Sequence, residues 1–191
     1  MATQFEELAP RIITMLKADF DLSLLGAVAI VGNLGHESGG FRFLQEKKPM
    51  VAGSKGGWGW AQWTGPRRRQ FEAYCRRNNI DPSSYKANYG FLFVELKGSE
   101  RGAIPAVRKA QTLEAKVVAF EKAFERAGIK HYESRIIWAR RALEAYKSAH
   151  ELDSVAVVIP HEENEDDPTF DVPEAKQPSW WDRLLSLFGW R

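Results

Sequence analysis

The sequence predicts a predominantly helical α+β domain with a small β-hairpin lobe, then an acidic linker and a short amphipathic helix. Three observations carry this. Apolar residues recur at helical spacing in several segments that open on capping residues. Residues 39–63, "GGFRFLQEKKPMVAGSKGGWGWAQW", hold six glycines and a proline and lack that period. After Leu152 the chain turns acidic and poor in large apolar residues. The expected division is a folded body over 1–150, a flexible linker over 151–178 and a helix over 179–191.

The elements follow in order. Thr3 and Glu6 fit a capping box, but Pro10 limits a helix that starts there, so the first helix is expected over Pro10–Ala18. The second starts near Asp21 or Ser23. It carries Leu24, Leu25, Val28 and Leu34 on apolar positions and stops at the glycines after Glu37. Short strands with a turn at "AGSKGG" form the hairpin lobe. Helices resume at "TGPRRRQFEAYCRRN", where Thr64 can cap and Pro66 suits the first turn. "DPSSY" reads as a turn and Tyr89–Leu96 as a helix. "TLEAKVVAFEKAFERAG" is the cleanest helix: Leu113, Val117, Phe120 and Phe124 share a face, Thr112 caps and Gly128 stops. The last body helix covers Glu133–Ala149, with Ile136, Leu143 and Tyr146 on one side. In the tail, Ser179 and Asp182 resemble a capping box, and Trp181, Leu184, Leu185 and Phe188 fall on one face.

Charge is divided unevenly. Residues 151–191 contain 10 acidic and 3 basic side chains, a formal −7, whereas residues 1–150 contain 24 basic and 15 acidic, a formal +9. A basic body suits a polyanionic target such as a cell wall or an anionic membrane. Nucleic acid has the right charge too, but no nucleic-acid-binding module is present, so it is not an expected partner. The lone cysteine, Cys75, rules out an intramolecular disulfide framework. The start of the chain has no basic region followed by an apolar run, so no signal peptide is expected. The apolar stretch near residues 22–35 is shorter than the roughly 20 residues that span a bilayer. His36 and His131 lack metal-ligand spacing, and no phosphate-cradling or dinucleotide loop appears, so no metal and no cofactor are expected.

The segment "GNLGHESGGF", residues 32–41, asks for a function. An apolar helix ends on one carboxylate, Glu37, and breaks at once into Ser-Gly-Gly. Apolar surroundings and the negative end of a helix both favour the protonated carboxyl. Such a group can act as a general acid toward the leaving oxygen of a glycosidic bond. The glycines would let the chain turn and a sugar approach the backbone. Glycosidases commonly need a second carboxylate across the sugar. Glu46 is the only acid between Glu37 and Glu72, and its expected role is to orient water. Trp58, Trp60 and Trp63 surround Gln62. Indoles stack on sugars and an amide can bridge hydroxyl or acetamido groups, although some of these rings are expected in the core. Arg67, Arg68, Arg69, Arg76 and Arg77 crowd one helix. Three of them oppose the dipole at its start, so they serve either a solvated face or the carboxylates of a ligand.

"GNLGHESGGF", "GWGWAQWTGPRR" and "FEKAFERAGIKHYESR" together resemble the phage tail lysozyme family of the lysozyme-like superfamily, over most of residues 10–146. "ES" followed by "GWAQW" is similar to the Glu-Ser … Gly-Leu-Met-Gln pattern of goose-type lysozymes and lytic transglycosylases, with Trp60 and Ala61 departing from Leu-Met. "HESGGF" is similar to a segment of family 19 chitinase-like endolysins. The resemblance implies a lysozyme-like, α-rich two-lobed fold. It implies a monomeric, bacteriolytic muramidase that cuts the N-acetylmuramic acid–N-acetylglucosamine bond of peptidoglycan, with Glu37 as acid and Gln62 on the substrate. T-even-type phage lysozymes carry an aspartate nine residues after the glutamate and then a threonine. Here Glu46 has the aspartate's spacing and Ala52 the threonine's, which leaves Ser54 or Thr64 to substitute.

The resemblance implies an enzyme held in the host cytoplasm before lysis or carried on the virion. The tail, 179–191, is expected at a membrane interface or on lipopolysaccharide, or docked on protein. Alternatives to a muramidase are a lytic transglycosylase or chitinase on the same fold, a non-catalytic wall-binding virion domain, and a protein that disrupts membranes through its tail.

Overall fold

The computed structural model describes residues 2–47, 49 and 53–156. Among them are seven α-helices: α1 Gln4–Phe20, α2 Leu24–Glu37, α3 Gly65–Asn78, α4 Tyr85–Lys97, α5 Ala103–Lys109, α6 Leu113–Phe120 and α7 Tyr132–Ala156. A π-helical turn, Glu121–Glu125, extends α6.

Local chemistry sets most boundaries. α1 begins before the expected Pro10 because the Glu6 carboxylate accepts the Thr3 backbone N–H at 2.9 Å, which secures the first turn ahead of the proline. Ser23 opens α2, its Oγ accepting from Gly26 N–H at 3.2 Å. α3 starts at Gly65 with Pro66 in its first turn and closes on Asn79, at φ 49°. α4 starts four residues earlier than expected, because Ser84 caps it through Ala87 N–H at 3.1 Å. α5 is seven residues long and contains Pro105, too short for periodicity to announce it. α7 runs past the expected boundary at 150 to Ala156, where the compact unit also ends. The expected linker beyond that point and the 179–191 helix lie outside the described residues.

α2 is the central rod. Every residue from 26 to 35 is buried, and α1, α6 and α7 pack around it. A helix apolar on all sides is suited to that place. Glycine lets its neighbours come close. A Cβ at Gly32 would lie 2.5 Å from Ala139 Cβ and 2.6 Å from its Cα, so α7 crosses almost in backbone contact. Gly35 lies against Phe5, whose ring meets Trp138 edge-on at 4.7 Å. A second aromatic cluster joins α3 to α4: Trp63 stacks on Phe71 at 4.8 Å, with Phe91 edge-on at 5.0 Å.

Among the described residues there is no strand, and the expected β-hairpin lobe is not shown. The described part of residues 39–63 holds only isolated antiparallel bridges, Gln45 with Trp58 and Trp58 with Trp63. Side chains take backbone groups that a ladder would use. Gln45 Nε2 donates to the Glu46 and Lys55 carbonyls at 2.7 and 2.9 Å. Arg68 of α3 donates to the Lys55 carbonyl, to the Gly56 carbonyl at 2.9 Å and to Gln45 Oε1 at 3.0 Å. Gly53, Gly56 and Gly59 have φ of 76°, 73° and 79°, which no strand tolerates.

Candidate active site

Glu37 is the last residue of α2. The serine after it is buried and turns the chain: Ser38 Oγ donates to the Leu34 carbonyl at 2.7 Å and accepts from Phe41 N–H at 2.9 Å. Gly39, Gly40 and Phe41 then have φ of 57°, 73° and 68°. For Phe41 that conformation costs about 1–2 kcal/mol. Burial between Phe5 and Trp60, at 5.3 and 4.9 Å, offsets it. A Cβ at Gly40 would lie 2.7 Å from the Trp138 ring, so this glycine admits an indole where the sequence suggested a sugar.

Glu37 is not the lone carboxylate the apolar helix suggested. Arg135, from the first turn of α7 and 1 % exposed, donates through NH2 to Glu37 Oε1 at 2.5 Å. Its NH1 donates to Asn33 Oδ1 at 3.0 Å and its Nε to the Lys130 carbonyl at 2.9 Å. Asn33 is fixed in turn, its amide donating to the Ala29 and Val117 carbonyls at 2.9 and 3.2 Å. The guanidinium is therefore clamped on three sides while the Glu37 side chain stays 20 % exposed. Beside it, half-buried His36 has Nδ1 2.9 Å from Ser134 Oγ and its ring 5.5 Å from that of His131. Burial, then the charges of Arg135 and His131, pull His36 down to about 4, so it is neutral at neutral pH.

A second carboxyl joins this pair. Arg126 N–H reaches back five residues to the Glu121 carbonyl at 2.7 Å, and this wide turn rotates Glu125 away from its α-helical direction. Glu125 is half-buried, and its Oε1 is enclosed without a hydrogen-bond partner. Burial holds its carboxyl well above the usual carboxylate range, and the charge of Glu37 adds to this; Arg67 and Arg135 oppose, and Glu95 adds a little more.

Arg67 belongs to the interior, not to a ligand. Its Nε and NH2 donate to the two oxygens of Glu95 at 2.7 and 2.8 Å, and NH1 donates to the Phe124 carbonyl at 3.1 Å. Glu95, 2 % exposed, also accepts Trp63 Nε1 at 2.6 Å. Arg68 is likewise spent on the glycine-rich segment and on Glu72, at 2.9 Å. Two of the three arginines at the start of α3 thus have intramolecular partners, and Arg69 is exposed.

The remaining sequence-derived residues divide. Glu46 and Gln62 meet across Gly57: Gly57 N–H donates to Glu46 Oε2 at 2.8 Å, and a Cβ on Gly57 would lie 2.7 Å from Gln62 Oε1. Gln62, at φ 45°, donates through Nε2 to the Phe43 and Gly59 carbonyls at 3.0 and 2.9 Å. Ser54 Oγ accepts Gly56 N–H at 3.0 Å in the same segment. Trp58 is half-buried with Arg68 over its ring at 5.5 Å. Trp60 is 3 % exposed, packed on Phe41 and Tyr85. Thr64 is exposed at the start of α3. Ala52 lies outside the described residues. Sequence reasoning missed Arg135 and Glu125. Arg135 had a signal, since it lies four residues before Ala139 on the buried face of α7. Glu125 had none, because α periodicity does not foresee a π turn.

The end of the central helix thus carries a partly exposed glutamate held by a buried arginine, with a second, half-buried carboxyl in the π turn. The chain belongs to the phage tail lysozyme family, whose model matches residues 7–146 and so spans Glu37, Glu125 and Arg135. No curated protein and no solved structure matches it. The family makes it a phage enzyme that degrades peptidoglycan and acts on the cell wall. No helix among the described residues is long and apolar enough to cross a membrane.

Proposed function

We propose that the protein is a muramidase that cleaves the N-acetylmuramic acid–N-acetylglucosamine bond, with Glu37 as general acid. The observation that carries this is the placement of Glu37: rooted in the most buried helix, pinned by Arg135, yet with its carboxyl reaching solvent. A carboxyl so fixed can meet a bridging oxygen without reorganising. After proton transfer the glutamate becomes an anion, and Arg135 is already in place to stabilise it.

Glu46 is the proposed second group, orienting the attacking water. Support comes from the order imposed on it by Gly57. Gln62, Ser54, Thr64 and Trp58 are the proposed sugar contacts. Trp60, in the core, acts in this scheme by backing Phe41 and the turn after Glu37. The acidic linker and the 179–191 helix are proposed to tether the body to a membrane surface or lipopolysaccharide. Deleting the helix should then weaken killing of intact Gram-negative cells while leaving the digestion of purified sacculi unchanged.

The decisive experiment is mass spectrometry of peptidoglycan digested by wild type and by Glu37→Gln. Fragments with a reducing N-acetylmuramic acid end, absent with the variant, are the expected result. Anhydro ends would make the enzyme a lytic transglycosylase. Full turnover by Glu37→Gln would sink the mechanism.

A further inference from the structure

Five ionisable side chains cluster at the end of α2. Glu37 comes from α2, Arg67 from α3, Glu95 from α4, Glu125 from the π turn and Arg135 from α7. They amount to three carboxyls and two guanidiniums. Glu95 is committed, because both of its oxygens accept from Arg67 and one also accepts from Trp63. Arg67 and Arg135 both act on Glu125, but two guanidiniums cannot balance three carboxylates. A group so poorly hydrated balances its charge most cheaply by keeping one proton on one of the other two carboxyls.

The backbone is built to hold Glu125 there. Arg67 ties down the Phe124 carbonyl and lies over the Phe124 ring at 4.4 Å. Arg126, the next residue, takes a left-handed φ of 52° and donates to Glu100 Oε2 at 2.7 Å. Glu121, at the start of the turn, accepts from Ala127 N–H, Lys130 Nζ and Tyr132 Oη, at 2.9, 3.1 and 3.1 Å. Glu125 alone in this turn has an oxygen, Oε1, that is enclosed with no partner, although its side chain as a whole is only half-buried. An unpartnered buried oxygen is costly for a carboxylate and less so for a neutral carboxyl.

We propose that Glu125 is a positioning residue that shares one proton with Glu37 across Arg135, and so keeps Glu37 supplied with the proton it gives to the sugar. This rests on Glu37 being the acid. With the proton on Glu125, Glu37 is the carboxylate paired with Arg135. When Glu125 ionises instead, the charge balance of the cluster is kept by a proton on Glu37. On cleavage the bond between the sugar carbon and the bridging oxygen breaks, and that oxygen takes the proton from Glu37. The attacking hydroxyl, of water or of the sugar itself, bonds to the carbon and releases its proton, which restores the one held by the pair.

The test is the pH profile of sacculus lysis by wild type, Glu125→Gln and Glu37→Gln, together with carboxyl-carbon NMR titration of wild type and Glu37→Gln. Glutamine at 125 cannot ionise, so Arg135 acts on Glu37 alone. The basic limb of the profile should move down by about one pH unit, a loss of roughly tenfold in lysis above it, with sacculus binding unchanged. In the NMR titration the Glu125 carbon should respond in two steps in wild type and in one, at lower pH, in Glu37→Gln. A Glu125→Gln profile that overlays wild type overturns the proposal, as does a Glu125 titration indifferent to Glu37→Gln. The second reading needs only variants of Glu37, so it stands even if Glu125→Gln does not fold. Retained lysis by Glu37→Gln overturns the acid assignment itself, and is told apart because that variant does not touch Glu125.

Discussion

Arg135 and Glu37 stand 98 residues apart in the chain and meet at 2.5 Å, guanidinium to carboxylate, where the first turn of α7 crosses the end of α2. One side chain thus locks the candidate acid to the opposite end of the body.

Replacing Arg135 with methionine keeps most of its volume and removes the charge. Glu37 Oε1, Asn33 Oδ1 and the Lys130 carbonyl would all lose their donor. Breaking a buried pair in this way should cost about 3–5 kcal/mol, measured as a fall in ΔG of unfolding in urea. Lysis by the folded fraction should fall at least about tenfold through loss of charge stabilisation at Glu37. Unchanged stability would mean the clamp is ornamental.

Gly32→Ala tests the helix crossing. Alanine favours a helix over glycine by about 1 kcal/mol. Here its methyl would meet Ala139 Cβ, Cα and N at 2.5, 2.6 and 2.7 Å, and backbone cannot yield as a side-chain tip can. A net loss of about 1–3 kcal/mol is expected, seen as a lower Tm. Gly128→Ala, with nothing within 4 Å of its Cβ, should change stability by less than about 0.5 kcal/mol.

Glu95→Leu should leave Arg67, whose side chain is 21 % exposed, with only the Phe124 carbonyl among these partners, and leave Trp63 Nε1 without its acceptor. The expected cost is about 3–5 kcal/mol in chemical denaturation. The double variant Glu95→Leu/Arg67→Met should recover part of it, since a well-packed apolar pair avoids the desolvation penalty that the ion pair carries.

His36 makes stability depend on pH. Its folded value of about 4 lies below its ordinary 6.5, so between these the unfolded chain binds more protons. Stability therefore rises with pH across this window: the His36 contribution is complete above about 6.5 and is lost as pH falls toward 4. Thermal melts from pH 4 to 7 should show wild type gaining stability with pH more steeply than His36→Gln. Parallel curves would show that His36 is not the titrating group.

The amino-acid sequence alone determined the helices with strong caps and long apolar stripes, the burial of the "LLGAVAIVGNLG" run, and the singling out of Glu37. These are local properties: a serine oxygen finding an amide three residues on, or a period of 3.6 set by backbone geometry. Glycine richness in residues 39–63 likewise signalled an irregular segment, though it was read as strands. Tertiary structure decided the rest. Whether Glu37 stands alone or paired depends on Arg135 arriving from another helix, and Arg67 turns inward because Glu95 waits there. Glu125 takes its place because the helix widens into a π turn at Glu121–Glu125. Charges reach across space with no regard for sequence separation, so no window along the chain contains them.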